Sequence, residues 1–327
     1  MSGWGKAWAM RCIGVVAGAL LLASCGGGEQ VQKFVPGRVL SFGDENSVIE
    51  VDQANVPRKY TVNFLAEPTT EAPNPTIDCT QLQIWVQILA NSYSVPFPQC
   101  PVSGITTSPS RMLAAPGATV ADVGAQIDTF LLSDSFKSND LVTVMVGTHD
   151  VLDLYEAVEQ GSMTIEQAAA EAEARGTQLA GYVNRMAQAG AKVLISTIPN
   201  LGFTPFGRIT TVRATRPDDL TRLTDRLNSK ARVGLINDGR MIGLVLTHQA
   251  FETIVRLVTV NVTDPACIDA LLDDVRQCTS RTTSMRTKDG VAATPTTYLW
   301  ADNLHMSPAG HSSVGTLAVQ RAVDNPF

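Results

Sequence analysis

Four short apolar runs constrain the fold more than any other feature of this 327-residue chain. They are Arg38 to Phe42, Asp140 to Val146, Ala191 to Ile198 and Ile242 to Leu246, and each gives way to a turn or polar loop. Runs of this length, rich in Val, Ile and Leu, suit strands buried on both faces of a sheet. Helical patterns fill the intervals between them. Val120, Val123, Ile127, Phe130 and Leu131 recur at helical spacing behind Thr119 and Asp122, a capping arrangement. Ile165 to Ala189 is rich in Ala and Glu, stops at Gly190 and reads as a solvated surface helix. Pro217 to Ile236 opens on acidic residues and ends near Gly239. Alternating strand and helix predicts an α/β domain with a parallel sheet. The stretches 66–78 and 279–297 read as long loops, and 251–278 as an insertion. No Gly/Ser/Pro linker divides the chain after residue 33, so 34–327 is expected to form one domain.

Charge excludes one class of partner. Acidic residues outnumber basic ones, 31 to 25, and no long Lys/Arg run occurs, so the electrostatic footprint of a nucleic-acid binder is missing. A polytopic membrane protein is excluded as well, because only the N-terminus carries an extended apolar run.

That run has the form of an address. Lys6 and Arg11 precede Cys12 to Leu22, which is too short for a comfortable span but suits a signal-peptide core. It ends in Leu22-Ala23-Ser24-Cys25, which resembles the bacterial lipobox. The resemblance implies a signal peptide over 1–24, a lipid on Cys25 and a short tether over 25–33, hence an exported lipoprotein held to a membrane by its anchor. Gly26 after Cys25 favours the outer membrane, facing the periplasm or the surface. Export also changes the reading of the cysteines. Cys79, Cys100, Cys267 and Cys278 remain, an even number in an oxidising compartment, and two disulfides are expected. Three pairings exist; Cys79–Cys100 and Cys267–Cys278 are favoured because each closes a short local loop. A zinc site is the alternative, but no CxxC spacing supports it.

Ligands of parallel sheets gather beyond the carboxyl ends of the strands. Four segments lie there or near the chain's end: Phe42-Gly43-Asp44-Glu45-Asn46-Ser47, Ala114 to Thr119, Gly147-Thr148-His149-Asp150, and Asp302 to His311. On these segments the chain resembles the SGNH/GDSL hydrolases. FGDENS is similar to that family's FGDSLS block, AAPGAT to AxGGAT, DLVTVMVGTHD to DLxxxxxGxND, and YLWADNLHMSPAGH to DxxHPxxxGH. IPNLGFTP, Ile198 to Pro205, is similar to a PxLGxxP stretch of the lipase branch. The order is the family's and spans almost the whole body. The resemblance implies a three-layer α/β/α sandwich with a parallel, flavodoxin-like sheet, ester hydrolysis, and no cofactor or metal.

In that family a serine attacks the ester carbonyl, a base takes its proton, and donors meet the charge on the carbonyl oxygen. Asp302 and His305 match the base half, and Gly117 matches one oxyanion donor. Two positions depart from the pattern. Glu45 stands at the nucleophile position and His149 at the asparagine position. An imidazole N–H can donate to an oxyanion; a carboxylate cannot replace a hydroxyl so simply. Ser47, two residues on, would point about 200° away around a helix axis. Glu45 can be read as a structural acid at a helix start, as a general base or nucleophile, or as the partner of His305 in a pair that closes the site. Asp44, Glu45, His149, Asp302 and His305 would also supply metal ligands if they converged, although the family gives Asp44 and Asp302 other roles. Three functions stay open: an ester hydrolase with an altered site, a non-catalytic binder of an acyl or glycan ligand, and a structural surface lipoprotein. His311, His248, Asp150, Trp85 and Trp300 receive structural readings.

Overall fold

The alternating pattern folds as a parallel α/β sandwich. The computed structural model describes residues 33–68, 74–105, 107–236 and 238–324. The expected signal segment, Cys25 and all but the last residue of the tether lie outside the described residues. Five strands form the sheet: β1 (Arg38–Gly43), β2 (Arg111–Met112), β3 (Asp140–Met145), β4 (Lys192–Ser196) and β5 (Ile242–Val245). Their order is β2-β1-β3-β4-β5, all parallel. The order reverses between β1 and β3, which opens a crevice at the carboxyl ends of those two strands.

Among the described residues seven helices cover the sheet: α1 (Trp85–Ser92), α2 (Val120–Leu131), α3 (Thr148–Glu159), α4 (Ile165–Gln188), α5 (Arg216–Val233), α6 (Thr247–Leu257) and α7 (Pro308–Asp324). Alternate strand residues serve opposite faces. Val39 of β1 and Leu141 of β3 pack in a core with α1, α3, α5 and α7. Leu40, Phe42, Val142 and Val144 pack in a second core with α2 and the last turns of α4. Both faces are therefore apolar, which is why these strands read as continuous runs rather than alternating ones.

One expectation needs correction. The helix from Ile165 is not simply a solvated surface helix. Ala168, Ala169, Ala172, Gly176, Leu179, Ala180 and Val183 are buried along one side. Its side chains are small because α5 passes close: a Cβ at Gly176 would lie 2.3 Å from the Leu227 carbonyl oxygen. The stretch 251–278, expected as an insertion, is tied to the strand before the Asp302 turn. Phe251 to Leu257 belongs to α6, and Asn261–Pro265 pairs in parallel with Tyr298–Trp300, the strand that leads into the Asp302 turn.

Disulfides join Cys79 to Cys100 and Cys267 to Cys278. The second lies in a small core with Val62, Ala266, Val275, Met285, Tyr298 and Ala301. Its backbone holds the site-bearing turn directly: Ala266 N–H donates to the Trp300 carbonyl and Cys267 N–H to that of Ala301, both at 2.9 Å. Among the described residues no helix is long and apolar enough to cross a membrane.

Candidate active site

Four loops meet at the β1/β3 crevice, and the end of β1 sets the position of the first. Gly43 has φ +124°, and a Cβ there would fall 1.9 Å from the Met145 carbonyl oxygen of β3. The Gln126 side chain of α2 accepts from Gly43 N–H and donates to its carbonyl, both at 2.9 Å. The chain then enters a single 3-10 turn, Glu45–Ser47, capped by Asp44, whose Oδ1 accepts from the Asn46 backbone N–H at 3.1 Å and side-chain amide at 3.2 Å. Asp44 Oδ2 is buried with no donor among the described residues. Burial, followed by the charge of Glu45, pushes Asp44 up to about 7.

Glu45 reaches from that turn into the crevice, its side chain only 4% exposed. Its Oε2 accepts from Gly117 N–H at 2.9 Å. Its Oε1 lies 2.7 Å from His149 Nε2 and 3.3 Å from His305 Nε2. Gly117 sits at φ +73° in the loop that precedes α2. The same loop is anchored to β1, where Ala114 N–H donates to the Ser41 carbonyl and Ala115 N–H to that of Gly43. His149 lies in the first turn of α3. Its neighbour Asp150 accepts from Val120 N–H at 2.8 Å and pairs with Arg175 at 3.3 Å, fixing α3 against the start of α2.

The fourth loop carries Asp302 and His305. Asp302 Oδ1 accepts from the N–H groups of Leu304 and His305 at 2.8 and 2.6 Å, and Oδ2 lies 2.6 Å from His305 Nδ1. With Nδ1 turned to Asp302, Nε2 faces Glu45. The Tyr60 ring flanks the imidazole, centroids 5.6 Å apart.

Charge runs through this row of groups. Burial works against ionisation of Glu45, but the hydrogen bonds from His149 and His305 outweigh it and hold the carboxyl below its ordinary range. Burial likewise opposes a charged His305, yet Asp302 and then Glu45 outweigh it and raise the imidazole to about 10. Glu45 also raises His149. At neutral pH His305 is thus an imidazolium held between two carboxylates.

This arrangement makes stability pH-dependent. A raised histidine contributes fully below its ordinary value of 6.5 and loses its contribution as pH climbs to about 10. The fully buried Lys59 acts the other way. Its Nζ donates to the carbonyls of Cys79, Gln81 and Leu82, and burial lowers it to about 7, so its contribution grows as pH rises. The difference between two proteins that both carry Lys59 isolates the site. The melting-temperature gap between the parent and Glu45→Gln is expected to be widest near pH 6 and to narrow steadily towards pH 10. A gap that stays constant across that range would refute the imidazolium assignment.

The other candidates lie elsewhere. Ser47 is fully buried, and its hydroxyl accepts from the Trp85 indole at 3.2 Å, away from the crevice. His311 is buried on α7, takes the Trp85 N–H on Nδ1 at 3.4 Å, and is lowered to about 3 by burial and then by Lys59. His248 faces Asp225 at 3.2 Å. The five O and N groups do not converge as a ligand set: Asp302 lies across the His305 ring from Glu45, and Asp44 turns to Asn46. Among the described residues no group of three or more His, Cys, Asp or Glu has metal-holding geometry. Two contributors carried no sequence signal. Gln126 is a single polar residue on a helix, and Tyr60 lies far from every motif.

Residues 69–317 match the family model described as GDSL-like Lipase/Acylhydrolase. That stretch includes Gly117, His149, Asp302 and His305 and begins after Glu45. Among solved structures the chain is similar to Axe2, an acetylxylan esterase from Geobacillus stearothermophilus, at 15% identity and TM-score 0.41, covering 89% of this chain and 96% of that one. It is similar to a member of the lipolytic G-D-S-L family from Veillonella parvula DSM 2008 at 10% identity and TM-score 0.42, covering 86% and 96%. It is also similar to LAE5, an alpha/beta hydrolase enzyme from the metagenome of Lake Arreo, Spain, at 19% identity and TM-score 0.42, covering 90% and 98%. No curated protein sequence matches the chain.

Proposed function

The chain belongs to the GDSL-like lipase and acylhydrolase family, and from that premise we propose that it is an esterase-like protein whose acyl-ester hydrolysis is lost, because Glu45 takes the place of the attacking serine. One observation carries this reading. The Glu45 carboxylate uses Gly117 N–H, His149 Nε2 and His305 Nε2 for itself. An acyl-transfer site needs such donors free to meet the oxyanion as it forms. A carboxylate attacking an ester carbonyl would moreover yield a mixed anhydride, higher in energy than the ester consumed.

The expected result is that p-nitrophenyl acetate and butyrate are turned over by the parent no faster than by His305→Ala. A parent rate that falls tenfold or more in His305→Ala overturns the reading. We further propose that the protein is exported and lipidated on Cys25. The Leu22-Ala23-Ser24-Cys25 motif supports this, and so do two disulfides, which persist in oxidising compartments. A mature protein starting at any residue other than Cys25 refutes it.

A further inference from the structure

A site that has lost acyl-ester substrates still contains the parts that hydrolyse an ester, gathered around one carboxylate. His305 is oriented by Asp302, Gly117 N–H points at one carboxylate oxygen, and the other oxygen lies under two imidazoles. These parts are placed to hydrolyse an ester formed on Glu45 itself. We propose that Glu45 is a nucleophile towards an electrophilic saturated carbon, with a neutral epoxide as the simplest member of the class, and that the chain hydrolyses such compounds through an alkyl ester of Glu45. The proposal rests on the reading that Glu45 stands in the serine's place.

Energetics favour this class over acyl esters. Attack on a saturated carbon that bears a leaving group gives an ordinary carboxylic ester, whereas attack on an acyl carbon gives an anhydride. The geometry assigns the two oxygens different tasks. Oε1 lies beside His149 and His305, so an alkoxide released there meets an imidazole that can protonate it and a second that can act as base. Oε2 instead accepts from the backbone N–H of Gly117, in an exposed loop. In the first step Oε1 attacks the less hindered epoxide carbon, the C–O bond of the ring breaks, and the alkoxide takes a proton from the His149 imidazolium. The product is a hydroxyalkyl ester whose carbonyl oxygen, Oε2, already rests on Gly117 N–H.

Alkylation removes the negative charge of Glu45, and with it one of the two carboxylates that hold a proton on His305. The imidazolium then loses its Nε2 proton to solvent and becomes a base. In the second step His305 takes a proton from water, and the hydroxide adds to the Glu45 carbonyl carbon. The negative charge on Oε2 is met by Gly117. Collapse breaks the acyl–oxygen bond, and the departing diol oxygen takes the proton back from His305. Glu45 is left as an acid and returns its proton to His149, and with the Glu45 charge restored His305 takes back a proton from solvent. The sum is epoxide plus water giving diol, with no other reactant. The oxygen added to the product comes from Glu45, and the oxygen of water stays in the enzyme.

That exchange of oxygens supplies the test. Full-length protein is given 1,2-epoxyhexane in oxygen-18 water under single-turnover conditions. The expected result is unlabelled diol with the label in the peptide that contains Glu45. In parallel, His305→Gln, which lacks the base for the second step, is expected to accumulate one hydroxyhexyl ester on that peptide, absent in the Glu45→Gln/His305→Gln double variant. Labelled diol in the first turnover overturns the proposal. So does a Glu45 peptide that gains no adduct while exposed carboxylates react. The oxygen-18 arm uses the unaltered protein, so a misfolded variant leaves the proposal testable. Failure here is distinct from failure of the parent reading, which is decided by p-nitrophenyl ester turnover and its dependence on His305.

Discussion

Glu45→Ser is expected to hydrolyse p-nitrophenyl acetate about a hundredfold or more faster than the parent, the scale that a positioned base and an oxyanion donor each contribute. The change does three things at once. It places a hydroxyl at the carboxyl end of β1. It releases Gly117 N–H and His149 Nε2 from a carboxylate that now occupies them. It also removes one of the two carboxylates that raise His305 to about 10, so the imidazole falls towards its ordinary 6.5 and accepts a proton near neutrality. Asp302 keeps the ring in the tautomer that a base requires. Activity should therefore rise between about pH 6 and 8 and vanish in Glu45→Ser/His305→Ala. The variant should also be less stable by about 2 kcal/mol, the worth of hydrogen bonds to a charged group. Equal rates for Glu45→Ser and the parent would mean that the remaining groups are not positioned for acyl transfer.

Gly43→Ala is expected to cost about 4 kcal/mol or more, among the largest effects a single methyl can have. The added Cβ would lie 1.9 Å from the Met145 carbonyl oxygen and 2.8 Å from its carbon, both backbone atoms of the neighbouring strand. The φ of +124° is itself a region that L side chains rarely adopt. Relief would need β1 and β3 to part where Asp44 N–H donates to Met145 at 3.1 Å and where Gln126 clasps the Gly43 peptide. The measurement is a urea midpoint, or the yield of folded protein if none survives purification. Gly161→Ala is the control. Its φ of +72° is also positive but lies in the left-handed region, and open space surrounds it, so it should lose only about 1 kcal/mol. Near-parent stability for Gly43→Ala would mean that the two strand ends are not in this contact.

Four of the five strands were legible because burial on both faces writes a continuous apolar run into the sequence. β2 was not: Arg111–Met112 is two residues long, paired only with Leu40 and Ser41, and leaves no periodic trace. α7 was hidden although Ser307 and Pro308 form a recognisable start. Gly315 interrupts its apolar stripe because a Cβ there would come within 2.6 Å of Ile88 on α1. α3 was passed over for a similar reason, since its first turn reads first as a chemical motif. Within the site, the motifs located Asp302, His305, Gly117 and His149. No motif could disclose where the longer Glu45 side chain ends. Its terminal oxygens lie three bonds beyond Cβ, where a serine hydroxyl, one bond out, does not reach, and so they meet three donors at once. Gln126 stayed invisible because clasping a backbone peptide places no pattern on the residues around it.

The partners of Glu45 are also scattered in time. During synthesis the amino end emerges first, so Glu45 and β1 appear early, Gly117 and His149 follow, and His305 arrives only when nearly the whole domain has been made. Until then the carboxylate has no reason to leave water, since burial without its counter-ions would be costly. Its pair with His305 forms only once the last turn has docked. A product cut short before that turn keeps a hydrated charge at the mouth of an unfinished sheet. Glu45 thereby couples docking of the carboxyl end to closure of the amino end.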